Sequence, residues 1–297
     1  MAGRFGLRGV LGPLRRGGGD PAYRVAGDGA VWRVSRTPEG AGTLRVAADL
    51  TAEAWGPGGP WLLKQLPVLL GELDDPGPFV AHHAVVARSH HMHPGLRLCR
   101  TGLVMESLIP SVLEQKVTTT EAYRSWRHLV RTFGEPAPVP EGVGYEVPEG
   151  LYVTPGARTW ALIPSWEWHR ANVDAKRADT IVRAVRVAAR LEEAAGMPYE
   201  QAKARLELVA GIGPWTSAET LQRSNGAPDA VTVGDLHLPG IVGYALTGKR
   251  GASDADMLEL LEPYAGQRHR AVRLILLTGL TPPRHGPRRA PGRISHL

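Results

Sequence analysis

Residues 206–242 read LELVAGIGPWTSAETLQRSNGAPDAVTVGDLHLPGIV, and the reading of this stretch decides the fold. Ala204, Leu206, Leu208 and Val209 form an apolar stripe of helical character that stops at Gly211-Ile212-Gly213. Pro214 then suits the first turn of a new helix, where its missing N–H is not needed. Glycine at 211 and 213 permits a positive φ and a close approach of the backbone. A tight turn that enters a helix leaves N–H groups unpaired, and these attract an anion such as a phosphate. Taken alone, the turn reads first as an ordinary Gly-capped corner between two helices, because Gly-x-Gly is a short pattern. The second feature is Asp235, after the apolar run Ala230–Val233 and among Leu236, Leu238 and Ile241. Taken alone it reads first as the N-cap of a helix over residues 236–246. The alternative is a catalytic carboxylate at the mouth of a pocket.

Together the two features are far more specific. GIGPWTSA followed about twenty residues later by VGDLHL resembles the hairpin, loop and aspartate signature of the helix–hairpin–helix DNA glycosylases. Within that superfamily the pattern most resembles the 3-methyladenine DNA glycosylase II, or alkylation-repair, family. Ser107–Thr118, SLIPSVLEQKVT, looks like the helix-and-Gln segment ahead of the family's catalytic core. Asp20–Val25 and Val31–Val34 look like its N-terminal β domain. The resemblance therefore runs from about residue 20 to 280. It implies an α+β fold: a small N-terminal antiparallel β-sheet domain followed by an all-α helix–hairpin–helix glycosylase core.

It also implies a chemistry. A glycosylase takes the base out of the stack into a pocket and breaks the bond between C1′ and a base nitrogen. The sugar gains oxocarbenium character, and one carboxylate stabilises that cation and activates water. Asp235 matches the catalytic aspartate. His237 has counterparts in some relatives but reads first as a helix-surface or packing histidine. Glycosylases that also cut the backbone carry a lysine for a Schiff base where this chain has Trp215. Hydrolysis without lyase activity is expected. Trp215 is expected to wall the base pocket with a π-face that attracts a cationic alkylated purine, unless it only packs between helices. Glu219, one turn on, and Leu276 stand where some relatives have aromatics, and an ionised Glu219 would add to that attraction. Gly211, Ile212, Gly213 and Thr216 are the expected DNA contacts of the hairpin, and Gln115 and Lys116 those of the gap left by the flipped base. No metal and no cofactor is expected, with room only for a monovalent cation at the hairpin. The expected partner is double-stranded DNA with damaged bases, bound by a monomer. The alternative function is a helix–hairpin–helix protein that binds lesions without cutting, although pure hairpin binding has no use for a buried acid.

Composition narrows the class. The chain has 297 residues, 43% hydrophobic and 22% charged, with no apolar run near the ~20 residues that cross a bilayer. The N-terminus lacks the apolar core of a signal peptide. The single cysteine, Cys99, excludes an internal disulfide and a four-cysteine iron–sulfur cluster, and fits a reducing compartment. A cytoplasmic, nucleoid-associated protein is expected. Eight of the 35 basic residues lie in residues 1–19 and 281–297, leaving 27 against 29 acids between them. The net charge of +6 therefore belongs to the ends, and DNA contact must come from local patches and backbone amides.

Four segments follow. Residues 1–19 read as a basic, flexible N-terminus. Residues 20–100 read as an α+β domain, with short alternating runs at 23–25, 31–34 and 44–46 and a turn at Gly27-Asp28-Gly29. Residues 101–280 read as all-α, with a capping box at Thr118–Glu121, a Pro/Gly-rich loop at 135–150 and a cap at Ser253. Residues 281–297 read as a basic, Pro-rich tail. Five histidines lie between residues 82 and 93, and without a metal-ligand spacing they read as solvated surface residues.

Overall fold

The computed structural model describes residues 6–283 and residue 292. Its N-terminal sheet is an antiparallel meander of β1 (Tyr23–Val25), β2 (Val31–Thr37), β3 (Gly40–Val46) and β4 (Ala52–Trp55), in that spatial order. Alternation along β2 sorts its side chains between two faces. Val31 joins Leu44 and Val46 on one face, while Trp32 and Val34 pack with Leu151 and Val153 on the other. The expected sheet domain is thus present, with apolar cover on both sides.

One of those covers was not expected. Residues 6–19 are no flexible arm: α1 (Gly6–Leu11) buries Leu7, Val10 and Leu11 against the sheet. Arg16 is buried and pairs with Glu114 at 2.6 Å. The basic composition hid a three-residue apolar face on a single helical turn and a half. Helix α2 (Gly59–Leu69) adds Leu62 and Leu69 to the same core.

The helical part begins earlier than residue 101. Helix α3 (Ala84–Met92) packs not on the sheet but on C-terminal helices, with Ser89 Oγ donating to the Leu274 carbonyl at 2.7 Å. Phe79, Val86 and Leu96 share a core with Val242, Met257, Leu261 and Leu274. A domain boundary at residue 100 therefore cuts through a core.

The remaining helices are α4 (Val104–Leu113), α5 (Thr119–Phe133), α6 (Ala157–Leu162), α7 (Ser165–Arg170), α8 (Ala175–Arg186), α9 (Ala188–Glu192), α10 (Tyr199–Glu207), α11 (Pro214–Ser224), α12 (Leu238–Thr247), α13 (Asp254–Leu261) and α14 (Arg268–Leu277). Capping boxes start α5 at Thr118 and α13 at Ser253, as the sequence predicts. Helices α4 to α11 close over a second core, where Trp160 stacks between Trp126 and Trp168 at centroid distances of 6.5 and 5.8 Å. A two-stranded pairing, β5 (Glu135–Pro136) with β6 (Tyr152–Val153), brackets the expected loop inside the nominally all-α region. No helix is long and apolar enough to cross a membrane among the described residues. The C-terminal tail lies outside them, apart from residues 281–283 and 292.

The histidine segment is only partly surface. His82 and His91 are exposed. His83 stacks on Tyr264 and its Nδ1 lies 2.8 Å from the tyrosine hydroxyl, while His90 meets Phe79 edge-on at 5.2 Å. These rings close the core around α3, and among the described residues no His/Cys/Asp/Glu group is arranged for a metal.

Candidate active site

The hairpin joins α10 to α11. Gly211 has φ +101°, and a Cβ there would lie 2.2 Å from Thr180 Oγ1 on α8. This glycine is fixed by conformation and by packing inside the protein. Gly213 is different: a Cβ there would meet nothing within 4 Å, so the space beside it is open to a ligand. The first intrahelical bond of α11 runs from Ser217 N–H to the Gly213 carbonyl, and no side chain caps the helix. The N–H groups of Gly213, Trp215 and Thr216 therefore have no acceptor among the described residues. These are the amides from which the sequence leads one to expect an anion site.

The other expected hairpin contacts face inward. Ile212 is buried in the helical core and its N–H bonds the Val209 carbonyl. The Thr216 side chain is buried and accepts from Gln115 Nε2 at 2.8 Å. Gln115 Nε2 also donates to the Gly211 carbonyl at 3.0 Å. Gln115, Thr216 and Ile212 thus hold the hairpin in place, leaving Gly213 and the free amides outward. Lys116, beside Gln115, is exposed and has φ +57°, which turns the chain sharply at the surface. Arg183 Nε donates to the Ala210 carbonyl at 3.0 Å.

Asp235 lies in the loop just before α12, and both of its carboxylate oxygens accept hydrogen bonds. Its Oδ1 accepts from the N–H groups of His237 and Leu238, each at 2.8 Å, which caps the helix. Its Oδ2 accepts from Trp215 Nε1 at 3.0 Å. The same carboxylate lines a cavity of about 230 Å³. Trp215 is not among the residues that line that cavity; its indole N–H holds the carboxylate at the rim. The cavity has no Trp, Tyr or Phe among its lining residues.

Five pieces of chain form the cavity, one of them Arg97–Cys99 ahead of α4, where Arg97 Nη1 donates to the Asp74 carbonyl at 2.8 Å. Glu219, Gln222 and Arg223 come from α11, and Asp235, His237 and Ile241 from the loop before α12 and that helix. His269, Val272, Arg273 and Leu276 come from one face of α14. Val10 and Pro13 come from the N-terminal segment, whose Pro13 carbonyl accepts from Arg223 Nε at 2.9 Å. Leu276 is where the sequence reading put it. Glu219 is also there, but its charge is already used. Its Oε2 accepts from Arg223 Nη1 at 2.7 Å and its Oε1 from Thr232 Oγ1 at 3.0 Å. Burial works against the charge on Arg223, yet Glu219 and Glu114 outweigh it and raise its pKa.

Two further cavity residues escaped the sequence reading. His269 is 7% exposed, and its Nδ1 has no hydrogen-bond partner. Burial, and then the charge of Arg273, hold its pKa well below the ordinary imidazole value, so the ring is neutral. Arg273 forms no hydrogen bond or ion pair with any described residue, and burial lowers its pKa. The only sequence signal for this pair is their spacing, i and i+4 on α14, which puts them on one face.

No family model matches the sequence, and no curated protein matches it. Solved structures do. The 8-oxoguanine glycosylase/lyase of Clostridium acetobutylicum, bound to double-stranded DNA with cytosine opposite 8-oxoG, superposes with a TM-score of 0.67 at 12% identity, over 93% of this chain and 92% of that one. The 3-methyladenine DNA glycosylase of Archaeoglobus fulgidus does so with a TM-score of 0.67 at 18% identity, over 90% and 91%. The sheet and the helices, with the turn between α10 and α11, are together the fold that these two DNA glycosylases share.

Proposed function

We propose that this protein is a monofunctional DNA glycosylase, acting as a monomer on double-stranded DNA. The observation that carries the reading is Asp235, a carboxylate held by three donors at the rim of a cavity, about twenty residues after a hairpin with free amides. The amides of Gly213, Trp215 and Thr216 take a backbone phosphate and set the register of the duplex. Lys116, Leu208 and Leu236 are exposed side chains beside the hairpin and the acid, suited to fill the gap left by a flipped base. The flipped base enters the cavity and its C1′ comes to Asp235.

The C1′–N bond then breaks, and its electron pair leaves with the base. Asp235 stabilises the cationic sugar. Water adds to C1′ and passes its proton to the carboxylate, leaving an abasic site in an unbroken strand. Lyase chemistry needs an amine at C1′. Trp215 stands at the position of the lysine in the resemblance, and no lysine lines the cavity. The resemblance implies a preference for cationic alkylated purines, helped by a Trp215 wall and a free Glu219 charge; Trp215 bonds Asp235 and Glu219 is paired with Arg223, so neither side chain is free to add that attraction.

The test is product analysis on duplexes with one damaged base. Free base and an abasic strand that breaks only on alkali treatment are expected, with no protein–DNA adduct under borohydride. Tight binding to lesions with no base released would leave the lesion-binding reading instead. A trapped adduct would assign lyase chemistry, with Lys116 the first amine to examine.

A further inference from the structure

The cavity contains an imbalance that the reaction above does not use. Of its three arginines, Arg223 is tied to Glu219 and to the Pro13 carbonyl. Arg273 is tied to nothing among the described residues, although it reaches into the same space from α14. Beside it, one turn earlier on the helix, His269 is buried with an unpartnered Nδ1. Opposite, Gln222 spends its amide N–H groups on the Ala230 carbonyl and Thr232 Oγ1, both at 2.9 Å, which leaves its Oε1 without a donor. His269 Nδ1 is a buried polar atom without a partner among the described residues, and half-buried Arg273 and Gln222 line the same cavity, so one ligand can meet all three.

We propose that Arg273, with His269 and Gln222, selects a neutral base that carries a ring carbonyl, and that Arg273 meets the negative charge this base acquires as it leaves. The proposal rests on the base-excision reading and names its substrate class. The guanidinium donates to the carbonyl oxygen; the ring N–H beside that carbonyl finds the Gln222 oxygen or the imidazole. A neutral base that keeps the C1′–N electron pair departs as an anion unless it is protonated. A neutral, buried imidazole is a poor proton donor, and burial with the neighbouring arginines keeps His269 neutral. The fixed positive charge of Arg273 stabilises the anion instead, and the base takes a proton from solvent after release. A cationic alkylated purine leaves as a neutral molecule and needs no such group. It would also enter a cavity with an unbalanced positive charge and without an aromatic face. Normal guanine and thymine have carbonyls too; they are excluded by the cost of removing a well-paired base from the stack.

The experiment compares single-turnover release of hypoxanthine, uracil, 8-oxoguanine and 3-methyladenine from otherwise identical duplexes; 3-methyladenine is the cationic base without a ring carbonyl. Each rate is divided by that base's spontaneous loss, because alkylated purines are intrinsically labile. The proteins are the wild type, Arg273→Gln and Arg273→Lys, each checked by thermal melting. At least one carbonyl base is expected to show a larger enhancement than 3-methyladenine in the wild type. Arg273→Gln should lower that enhancement by roughly 10- to 100-fold, the scale of a charged hydrogen bond, and raise the enhancement for 3-methyladenine. Arg273→Lys should keep more of the carbonyl-base activity than Arg273→Gln. The proposal is overturned if 3-methyladenine is enhanced more than every carbonyl base, or if Arg273→Gln releases carbonyl bases at the wild-type rate. In both cases the glycosylase reading stands. Release of no base from any duplex by the wild type would overturn the glycosylase reading itself.

Discussion

Two buried polar regions meet the helices of this protein, and they are built on opposite rules. In the seam between the N-terminal segment, the sheet and α4, the two most buried guanidinium groups each have a carboxylate: Arg16 pairs with Glu114 and Arg33 with Glu106. There Asp20 also accepts from Trp126 Nε1 at 3.0 Å and from the Arg16 backbone N–H at 2.7 Å. In the cavity beside Asp235, Arg273 and His269 have no partner. Helix α14 shows both rules within one turn. Arg270 pairs with Asp74 and donates to Gln267 Oε1 at 2.7 Å, while Arg273, three residues on, is left open. Paired groups bind the chain to itself. Unpaired ones cost stability and persist where a ligand completes them.

That contrast can be broken by exchanging Arg270 and Arg273 of α14, one at a time, for an apolar residue. Arg270→Met strands Asp74, which is buried, and should cost about 3–5 kcal/mol in chemical denaturation. Arg273→Met strands nothing and should stay within about 1 kcal/mol of the wild type, or gain. Equal losses at both positions would show that Arg273 has a structural partner after all.

The hairpin divides in the same way between its two glycines. Gly211→Ala puts a methyl on Thr180 at a positive φ, and a loss of about 1–3 kcal/mol is expected. Gly213→Val meets open space, so the melting temperature should hold while affinity for any duplex falls and its salt dependence flattens. Unchanged DNA affinity in the Gly213 variant would make the hairpin a structural corner only.

Smaller effects sharpen the picture. Trp215→Phe removes the donor to Asp235 Oδ2 and should lower base release by roughly 10-fold while DNA affinity is kept. A fall in affinity with base release kept would return Trp215 to the pocket wall. His269 gives a pH signature. Its folded pKa lies well below the ordinary imidazole value, so the unfolded chain binds the proton first as the pH falls. Stability from this group is complete above about pH 6.5 and declines below it, until His269 itself is protonated in the folded state. His269→Phe should flatten that slope in melts between neutral and mildly acidic pH; an identical slope would assign the acid sensitivity to other groups.

Most of the backbone plan was legible because it rests on local patterns. The alternating runs of β2 and β3, the capping boxes at Thr118 and Ser253 and the Gly-x-Gly-Pro corner each carry their own signal. Asp235 was legible through its motif. What failed was any role that depends on where a side chain points. Ile212 and Thr216 belong to the hairpin but face inward, Gln115 reaches across from the end of α4 to bond Thr216 and the Gly211 carbonyl, and Trp215 turns to the aspartate. Glu219 was found, yet its partner Arg223 lies one turn further on the same helix and removes its free charge. Val10 and Pro13 were hidden in a segment whose arginines suggest a loose arm. His269 and Arg273 were missed because only the fold brings α14 across from α11.

The central claim is that Asp235 acts on the sugar and does more than cap α12. It is tested most directly by measuring base release and duplex affinity side by side for the wild type and Asp235→Asn. Asparagine keeps the oxygen that accepts from the His237 and Leu238 amides, so the helix cap and the fold should persist. The account predicts that affinity for lesion-bearing duplex is retained while single-turnover release falls by about 10²-fold or more. Release by Asp235→Asn at a rate near that of the wild type would remove the aspartate from the chemistry and leave it as a helix cap.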